Sequence, residues 1–249
     1  MTDIPLYDVR NVSKLFSKGP MNVRAVNDVS LTIAAGEFVA LEGPSGSGKT
    51  TLLQLLGALD RPSDGHVFFE GRDLGELKDN DLADLRLRAF GFVFQHYNLI
   101  PTLTAVQNVE LALAPMGVKG TELRDRSLAL LAEVGLAPRA SHLPSQLSGG
   151  EQQRVSIARA LVVGPRVILA DEPTGNLDTK TGADIIELLV GLAAEHGTTI
   201  VVATHDAGLA ARAPRRLAMR DGSLVPGVNG APAPAEAAVD GESALLPSS

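Results

Sequence analysis

Phe38-Val39-Ala40-Leu41 runs into Gly43-Pro44-Ser45-Gly46-Ser47-Gly48-Lys49-Thr50-Thr51, and this passage decides the fold. An apolar run of strand length, a glycine-rich turn ending in Gly-Lys-Thr, and a helix from Lys49 to Leu56 make one strand–loop–helix unit. The glycines let backbone N–H groups turn inward around the phosphates of a nucleotide, helped by the positive end of the helix. Lys49 adds mobile positive charge, and the Thr50 hydroxyl can ligate Mg²⁺. A plain glycine-rich turn is the rival reading; a strand before it and a helix after it weigh against that. Gly57 is expected to close the helix in the left-handed conformation.

Downstream, Val167-Ile168-Leu169-Ala170-Asp171-Glu172 is an apolar strand ending in two acids. Buried strands of an α/β sheet end at the ligand edge, so Asp171 is placed to hold Mg²⁺ and Glu172 to orient or deprotonate an attacking water. A solvated Asp-Glu pair is the bland alternative. Between the two motifs lies Leu147-Ser148-Gly149-Gly150-Glu151-Gln152-Gln153-Arg154. Ser148 and Glu151 have capping-box spacing, so a helix starts here and continues through Leu161. An ordinary capped helix leaves Gly149 and Gly150 unexplained, since each costs about 1 kcal/mol against Ala. Glycines at an anion-attracting helix start suggest a backbone that must approach a phosphate.

Around these motifs, Leu6 to Val9 and Val29 to Ile33 read as further strands, with turns at Lys18-Gly19-Pro20 and Ala35-Gly36. Pro62-Ser63-Asp64-Gly65 reads as a turn into a strand at His66 to Phe69. From about 96 to 163 the pattern is mainly helical, with connections at Pro101, Pro115, Pro138 and Pro144. Strand–helix alternation then resumes with Val167 to Ala170, a helix around Ile185 to Ala194, and a strand at Thr199 to Ala203. That alternation implies a largely parallel sheet flanked by helices.

Together these motifs resemble the nucleotide-binding subunit of an ABC transporter, over roughly residues 4–225. The resemblance implies an α/β fold: a P-loop NTPase (RecA-like) core with an antiparallel β-subdomain and an inserted α-helical subdomain. It implies ATP and Mg²⁺ as ligands. It also implies that Ser148, Gly149 and Gly150 reach the ATP held by a second subunit. Glu151 stands where many members carry Gln. Gln95, after the strand Phe90 to Phe94, matches the glutamine that touches Mg²⁺ and water and reports to a membrane partner. Asp178, in Asn176-Leu177-Asp178, matches the loop linking the two sites of a dimer, and His205 matches the histidine that contacts the γ-phosphate. Phe16 falls where an adenine-stacking aromatic is usual, and a buried Phe in a β-subdomain is its rival there. The stretches 94–104 and 171–178 are similar to the branch of lipoprotein-release, macrolide-export and cell-division ATPases of the MacB, LolD and FtsE kind.

Composition sets the outer bounds. The net charge is −7, and residues 226–249 hold Glu236, Asp240 and Glu242 with no Lys or Arg. That balance gives no support for nucleic-acid binding. With no cysteine, disulfides and thiolate metal sites are excluded. No basic-then-apolar leader is visible at Met1 to Pro5, and apolar runs fall short of the roughly 18 residues a membrane helix requires. Residues 226–249, rich in Ala, Pro and Gly, are expected to form a disordered tail after an ATPase domain at 1–225.

The reading that follows is an ATPase subunit, dimeric with itself or a paralogue, on the cytoplasmic face of the inner membrane. It is peripheral there through a separate integral membrane permease. A soluble DNA-repair or translation ATPase is the rival; the segment between Gln95 and Ser148 carries no sustained heptads, and the chain has one cassette. A cell-envelope or division scaffold without transport is the third possibility.

Overall fold

The computed structural model describes residues 4–18 and 21–226. The chain opens with the antiparallel pair β1 (Tyr7–Lys18) and β2 (Met21–Ile33), and then β3 (Phe38–Glu42) leads into α1 (Lys49–Leu56). Next come β4 (Asp64–Phe69), β5 (Arg72–Asp73), α2 (Asp79–Ala89) and β6 (Phe90–Phe94). The helical stretch holds α3 (Ala105–Leu113), α4 (Gly120–Glu133) and α5 (Gly149–Leu161), joined by short 3-10 turns that contain Pro115, Pro138 and Pro144. Then follow β7 (Val167–Asp171), α6 (Thr179–Glu195), β8 (Thr199–Thr204), the short α7 (Ala207–Ala210), β9 (Arg215–Arg220) and β10 (Ser223–Leu224).

The main sheet has six strands in the order β10-β9-β3-β8-β7-β6. Every pairing from β9 to β6 is parallel, and only β10 runs antiparallel. Parallel strands are covered on both faces, so they read as continuous apolar runs, and β7 and β8 are buried from Val167 to Ala170 and along all of β8. Their side chains alternate between two cores. Val167, Leu169, Val201 and Ala203 face α1 and the antiparallel sheet. Ile168, Ala170, Ile200 and Val202 face the layer of α3 to α6. Truncating a buried leucine or isoleucine at such a place to Ala costs about 2–5 kcal/mol.

The second sheet is antiparallel, in the order β2-β1-β4-β5. Tyr7 ties it to the nucleotide-loop helix: its buried hydroxyl donates to the Leu56 carbonyl at 3.0 Å, and its ring meets Phe69 edge-on at 5.1 Å. The fold class is therefore the α/β arrangement the sequence implied, with an antiparallel sheet beside a parallel one.

Several elements differ from the sequence reading. Gly57 has φ −81°, so it is not a left-handed cap. Its glycine identity answers to packing, because a Cβ there would stand 2.6 Å from the Phe92 ring and 2.9 Å from Leu169. The left-handed residue is the next one, Ala58, at φ 52°. β4 begins at Asp64, inside the expected turn. α6 begins at Thr179, well before Ile185, because Asp178 caps it there. The segment 70–89, to which the sequence reading assigned no element, forms β5 and α2; only Leu82 and Ala89 of α2 are buried, too few to make a stripe. The expected turn at Gly19-Pro20 and the tail from residue 227 onward lie outside the described residues.

Candidate active site at the strand ends

β3, β8, β7 and β6 are neighbours in the main sheet and run in one direction, so their carboxyl ends share one edge. Those four ends lead into Gly43, His205, Asp171-Glu172 and Gln95 respectively. Positions more than a hundred residues apart in sequence thus stand side by side, in the order the sheet dictates.

The loop after β3 is shaped by glycine. Gly46 and Gly48 have φ of 79° and 102°, in the left-handed region, and a Cβ on Gly48 would strike the Ala25 carbonyl at 2.2 Å. The Lys49 ammonium, almost fully buried, donates to the carbonyls of Gly43 at 2.7 Å and Pro44 at 2.9 Å, drawing the loop closed around it. The Gly222 N–H donates to the Ser47 carbonyl at 3.1 Å, so the turn between β9 and β10 braces the loop from below. Two features mark the loop as built for an anion. α1 has Gly48 as its N-cap and so no side-chain cap, leaving its first-turn N–H groups to an outside acceptor. The Ser47 hydroxyl is buried with no partner in the protein.

Above the loop opens a cavity of about 860 Å³. Pro44, Ser45, Gly46, Gly48, Lys49, Thr50 and Thr51 line its floor, and Gln95, Asp171, Glu172 and His205 line its far side. The Thr50 hydroxyl donates to Asp171 Oδ1 at 3.0 Å. Burial pushes the Asp171 carboxyl above the usual range; the Thr50 hydrogen bond pulls it back, neighbouring Glu172 raises it further and Lys49 lowers it. Glu172 sits at φ 46°, a left-handed conformation that costs a residue with a Cβ about 1–2 kcal/mol. One carboxylate oxygen is 2.9 Å from His205 Nδ1, and the other is 3.9 Å from Lys49 Nζ. The strained backbone thus turns this carboxylate toward the loop lysine and the histidine.

The oxygen donors at this edge are the Thr50 hydroxyl, the Asp171 carboxylate and the Gln95 carboxamide. Hard oxygen donors in this small number suit Mg²⁺, which keeps waters and phosphate oxygens in its shell. Among the described residues no three His, Cys, Asp or Glu side chains cluster into an all-protein cage.

The remaining expected residues lie elsewhere. Gly43 and Ser47 are not in the cavity lining; their carbonyls hold the loop, accepting from Lys49 and from the Gly222 N–H. Phe16 does not line the cavity, and it is not the buried aromatic either: it is 41% exposed, with the Lys14 ammonium 5.1 Å from its ring centre. Val23, its partner across the β1–β2 hairpin, does line the cavity. Ser148, Gly149, Gly150 and Asp178 are also away from it. The capping box is formed: the Glu151 N–H donates to Ser148 Oγ at 3.3 Å, and the Ser148 N–H donates to Glu151 Oε2 at 2.8 Å. Hydrogen bonds from the Ser148 backbone and side chain hold Glu151 below the usual carboxylate range, with Arg139 and His142 adding to them. The two glycines have a reason inside this chain, apart from any phosphate. A Cβ on Gly149 would stand 2.9 Å from the Tyr97 hydroxyl, and one on Gly150 would stand 2.7 Å from the Thr181 methyl. Asp178 caps α6, accepting from the N–H groups of Lys180 and Thr181 and from the Thr181 hydroxyl.

Sequence reasoning missed Arg24, Ala25, Asp221 and Gly222, which form the cavity wall nearest the hairpin. The pair Asp221-Gly222 between β9 and β10 carries a hairpin signal. Nothing local says that this hairpin abuts the loop at Ser47.

A glycine-rich loop between a parallel strand and a helix, with acids ending a nearby strand, defines a P-loop NTPase. More narrowly, the chain belongs to the ABC transporter family, whose profile, described as "ABC transporter", matches residues 26–175. It is 52% identical over 221 residues to the macrolide export ATP-binding/permease protein MacB of Burkholderia pseudomallei, covering 89% of this chain and 34% of that protein. To the pyoverdine export ATP-binding/permease protein PvdT of Pseudomonas aeruginosa it is 50% identical over 223 residues, covering 89% and 34%. The chain thus spans about a third of the length of the curated relatives it matches. Among solved structures it is similar to the dimeric, post-hydrolysis ATP-binding cassette MJ0796 bound to ADP and Pi. The TM-score there is 0.81 at 45% identity, covering 88% of this chain and 96% of that one.

Proposed function

We propose that this chain is the ATP-hydrolysing cassette of an export system, in which residues 1–225 form the ATPase domain and about 96–163 its helical insert. One observation carries the reading: Glu172, held in a left-handed conformation between His205 and Lys49, faces the cavity above the phosphate loop. Backbone N–H groups of the loop and Lys49 hold the triphosphate, with Gly43 and Ser47 keeping the loop in shape. Thr50, Asp171 and Gln95 supply the oxygen ligands for Mg²⁺, which when bound neutralises charge on the phosphates. Glu172 orients the attacking water and accepts its proton as the bond to the leaving ADP oxygen breaks. His205 fixes the direction of that carboxylate.

Export is favoured over a scaffold role because the relatives are named export ATP-binding/permease proteins. Among the described residues no helix is long and apolar enough to cross a membrane, so force must pass to a separate or attached permease. The route offered is a groove of about 320 Å³ beside β6, the edge strand, lined by Phe92, Phe94, Asn98 and Arg159; Gln95 directly follows that strand and lines the nucleotide cavity. A cytoplasmic helix of the permease seated there would place the chain peripherally at the inner face of the membrane. The cassette works as a dimer of two copies, or with a paralogue, in which Ser148, Gly149, Gly150 and Asp178 of one copy complete the site of the other. Phe16, exposed and paired across β1 and β2 with the cavity-lining Val23, stacks on the base.

Comparing two variants tests the chemistry. Glu172→Gln lowers turnover by about 10²–10⁴-fold, the usual worth of a general base, and leaves ATP affinity nearly unchanged. Lys49→Ala weakens ATP binding itself. Equal loss of ATP affinity in both variants would remove Glu172 from its assigned role.

A further inference from the structure

Gln95 does not stand alone at the cavity edge. The Asn176 side-chain N–H donates to the Gln95 backbone carbonyl at 3.0 Å, and the Gln95 side-chain N–H donates to Asn176 Oδ1 at 3.3 Å. The two contacts fix each other's direction. A carbonyl can only accept, so it turns the nitrogen end of Asn176 toward itself, and Oδ1 is then the atom left facing the Gln95 side chain. Against that oxygen the Gln95 amide can present only Nε2. Its Oε1 is thereby turned away from Asn176, on a side chain that lines the same cavity as Thr50 and Asp171.

Gly175 makes room for the clasp. A Cβ there would stand 2.8 Å from Gln95 Nε2. The Gly175 N–H closes a tight turn onto the Glu172 carbonyl at 3.0 Å, so the clasp is anchored to the strand end that carries Glu172.

We infer that Asn176 is a positioning residue that sets the amide orientation of Gln95, so that its oxygen and not its nitrogen is offered to the cation. This rests on the reading of Gln95 as a Mg²⁺ ligand given above. A cation is repelled by an amide N–H and attracted by the carboxamide oxygen, so an unconstrained Gln95 would bind it less well. Groups that orient a metal ligand from behind are worth about 10–100-fold in metal affinity.

The test uses the whole chain carrying Glu172→Gln, which suppresses turnover, and measures the Mg²⁺ concentration giving half-maximal ATP binding. Asn176→Leu removes both hydrogen bonds and should raise that concentration about tenfold or more. ATP affinity measured in excess chelator should stay the same. Gly175→Ala, whose Cβ would stand 2.8 Å from Nε2, should shift it in the same direction by less. Adding Asn176→Leu to Gln95→Ala should change nothing beyond Gln95→Ala alone, and thermal melting should confirm that each variant folds. If Gln95→Ala raises the Mg²⁺ requirement but Asn176→Leu does not, or the two effects multiply, the orienting role is wrong while Gln95 keeps its assignment. If Gln95→Ala itself leaves the requirement unchanged, the ligand reading falls and the orienting role with it.

Discussion

The cavity at the strand ends and the start of α5 are both glycine-rich turns opening a helix, yet the fold treats them in opposite ways. At the cavity, α1 begins without a side-chain cap, the Ser47 hydroxyl is buried without a partner, and Glu172 has a left-handed backbone. Burial there raises the Asp171 carboxyl. At α5, Ser148 and Glu151 satisfy one another and Glu151 is held below its usual range; across the neighbouring turn Asp178 is likewise lowered by its hydrogen bonds to Thr181. In one region polar groups lack partners within the chain, and in the other they are satisfied by their neighbours. The difference supports the roles proposed above: anion binding and hydrolysis at the first region, and at the second a helix start presented to another copy of the chain.

Opposite changes in stability would sharpen that contrast. Ser148→Ala removes the cap of α5 and should destabilise the nucleotide-free protein by about 1 kcal/mol. For a domain of this size that is a fall in melting temperature of about 2–4 °C. Ser148→Thr, which keeps the cap, should melt close to the parent. An Ala variant as stable as the parent would mean that the capping box carries no weight.

Asp171→Asn should act the other way, with a smaller effect. A carboxyl whose pKa is raised in the folded state binds its proton more tightly folded than unfolded. Its contribution to stability therefore falls as pH rises from the ordinary carboxylate range through the raised value, and the penalty is complete above it. The nucleotide-free protein should lose stability over that window, and Asp171→Asn should abolish that part of the loss. At neutral pH the variant should melt slightly higher than the parent while losing Mg²⁺-dependent ATP binding, an instance of stability exchanged for function. A variant that melts lower at neutral pH would show that the ionised carboxylate is stabilised by Thr50 and Lys49 more than burial opposes it.

Much of the parallel core could be read from the sequence because its physics is local. β7 and β8 are buried on both faces and so spell themselves as unbroken apolar runs, and the loop at Gly43 to Thr50 needs its glycines in fixed places. What escaped was what depends on distant partners. Gly57 carries the residue type of a helix cap, but it answers to Phe92 and Leu169, which only the tertiary fold brings near. Gly149 and Gly150 are likewise shaped by Tyr97 and Thr181. Arg24 and Asp221 reach the cavity because the hairpin and the β9–β10 turn clasp the loop, an arrangement with no signature in either segment. α2 buries too little to announce itself.

In the proposed function the two unlike regions belong to one active site shared between two copies of the chain. Size measurement in solution by light scattering tests it most directly, using the Glu172→Gln protein with and without MgATP, alone and combined with Ser148→Arg. Glu172→Gln should be a dimer with MgATP and a monomer without it. The double variant should be a monomer that still binds ATP, because the altered residue serves the opposite copy. A double variant that dimerises with MgATP as fully as Glu172→Gln would contradict the shared site.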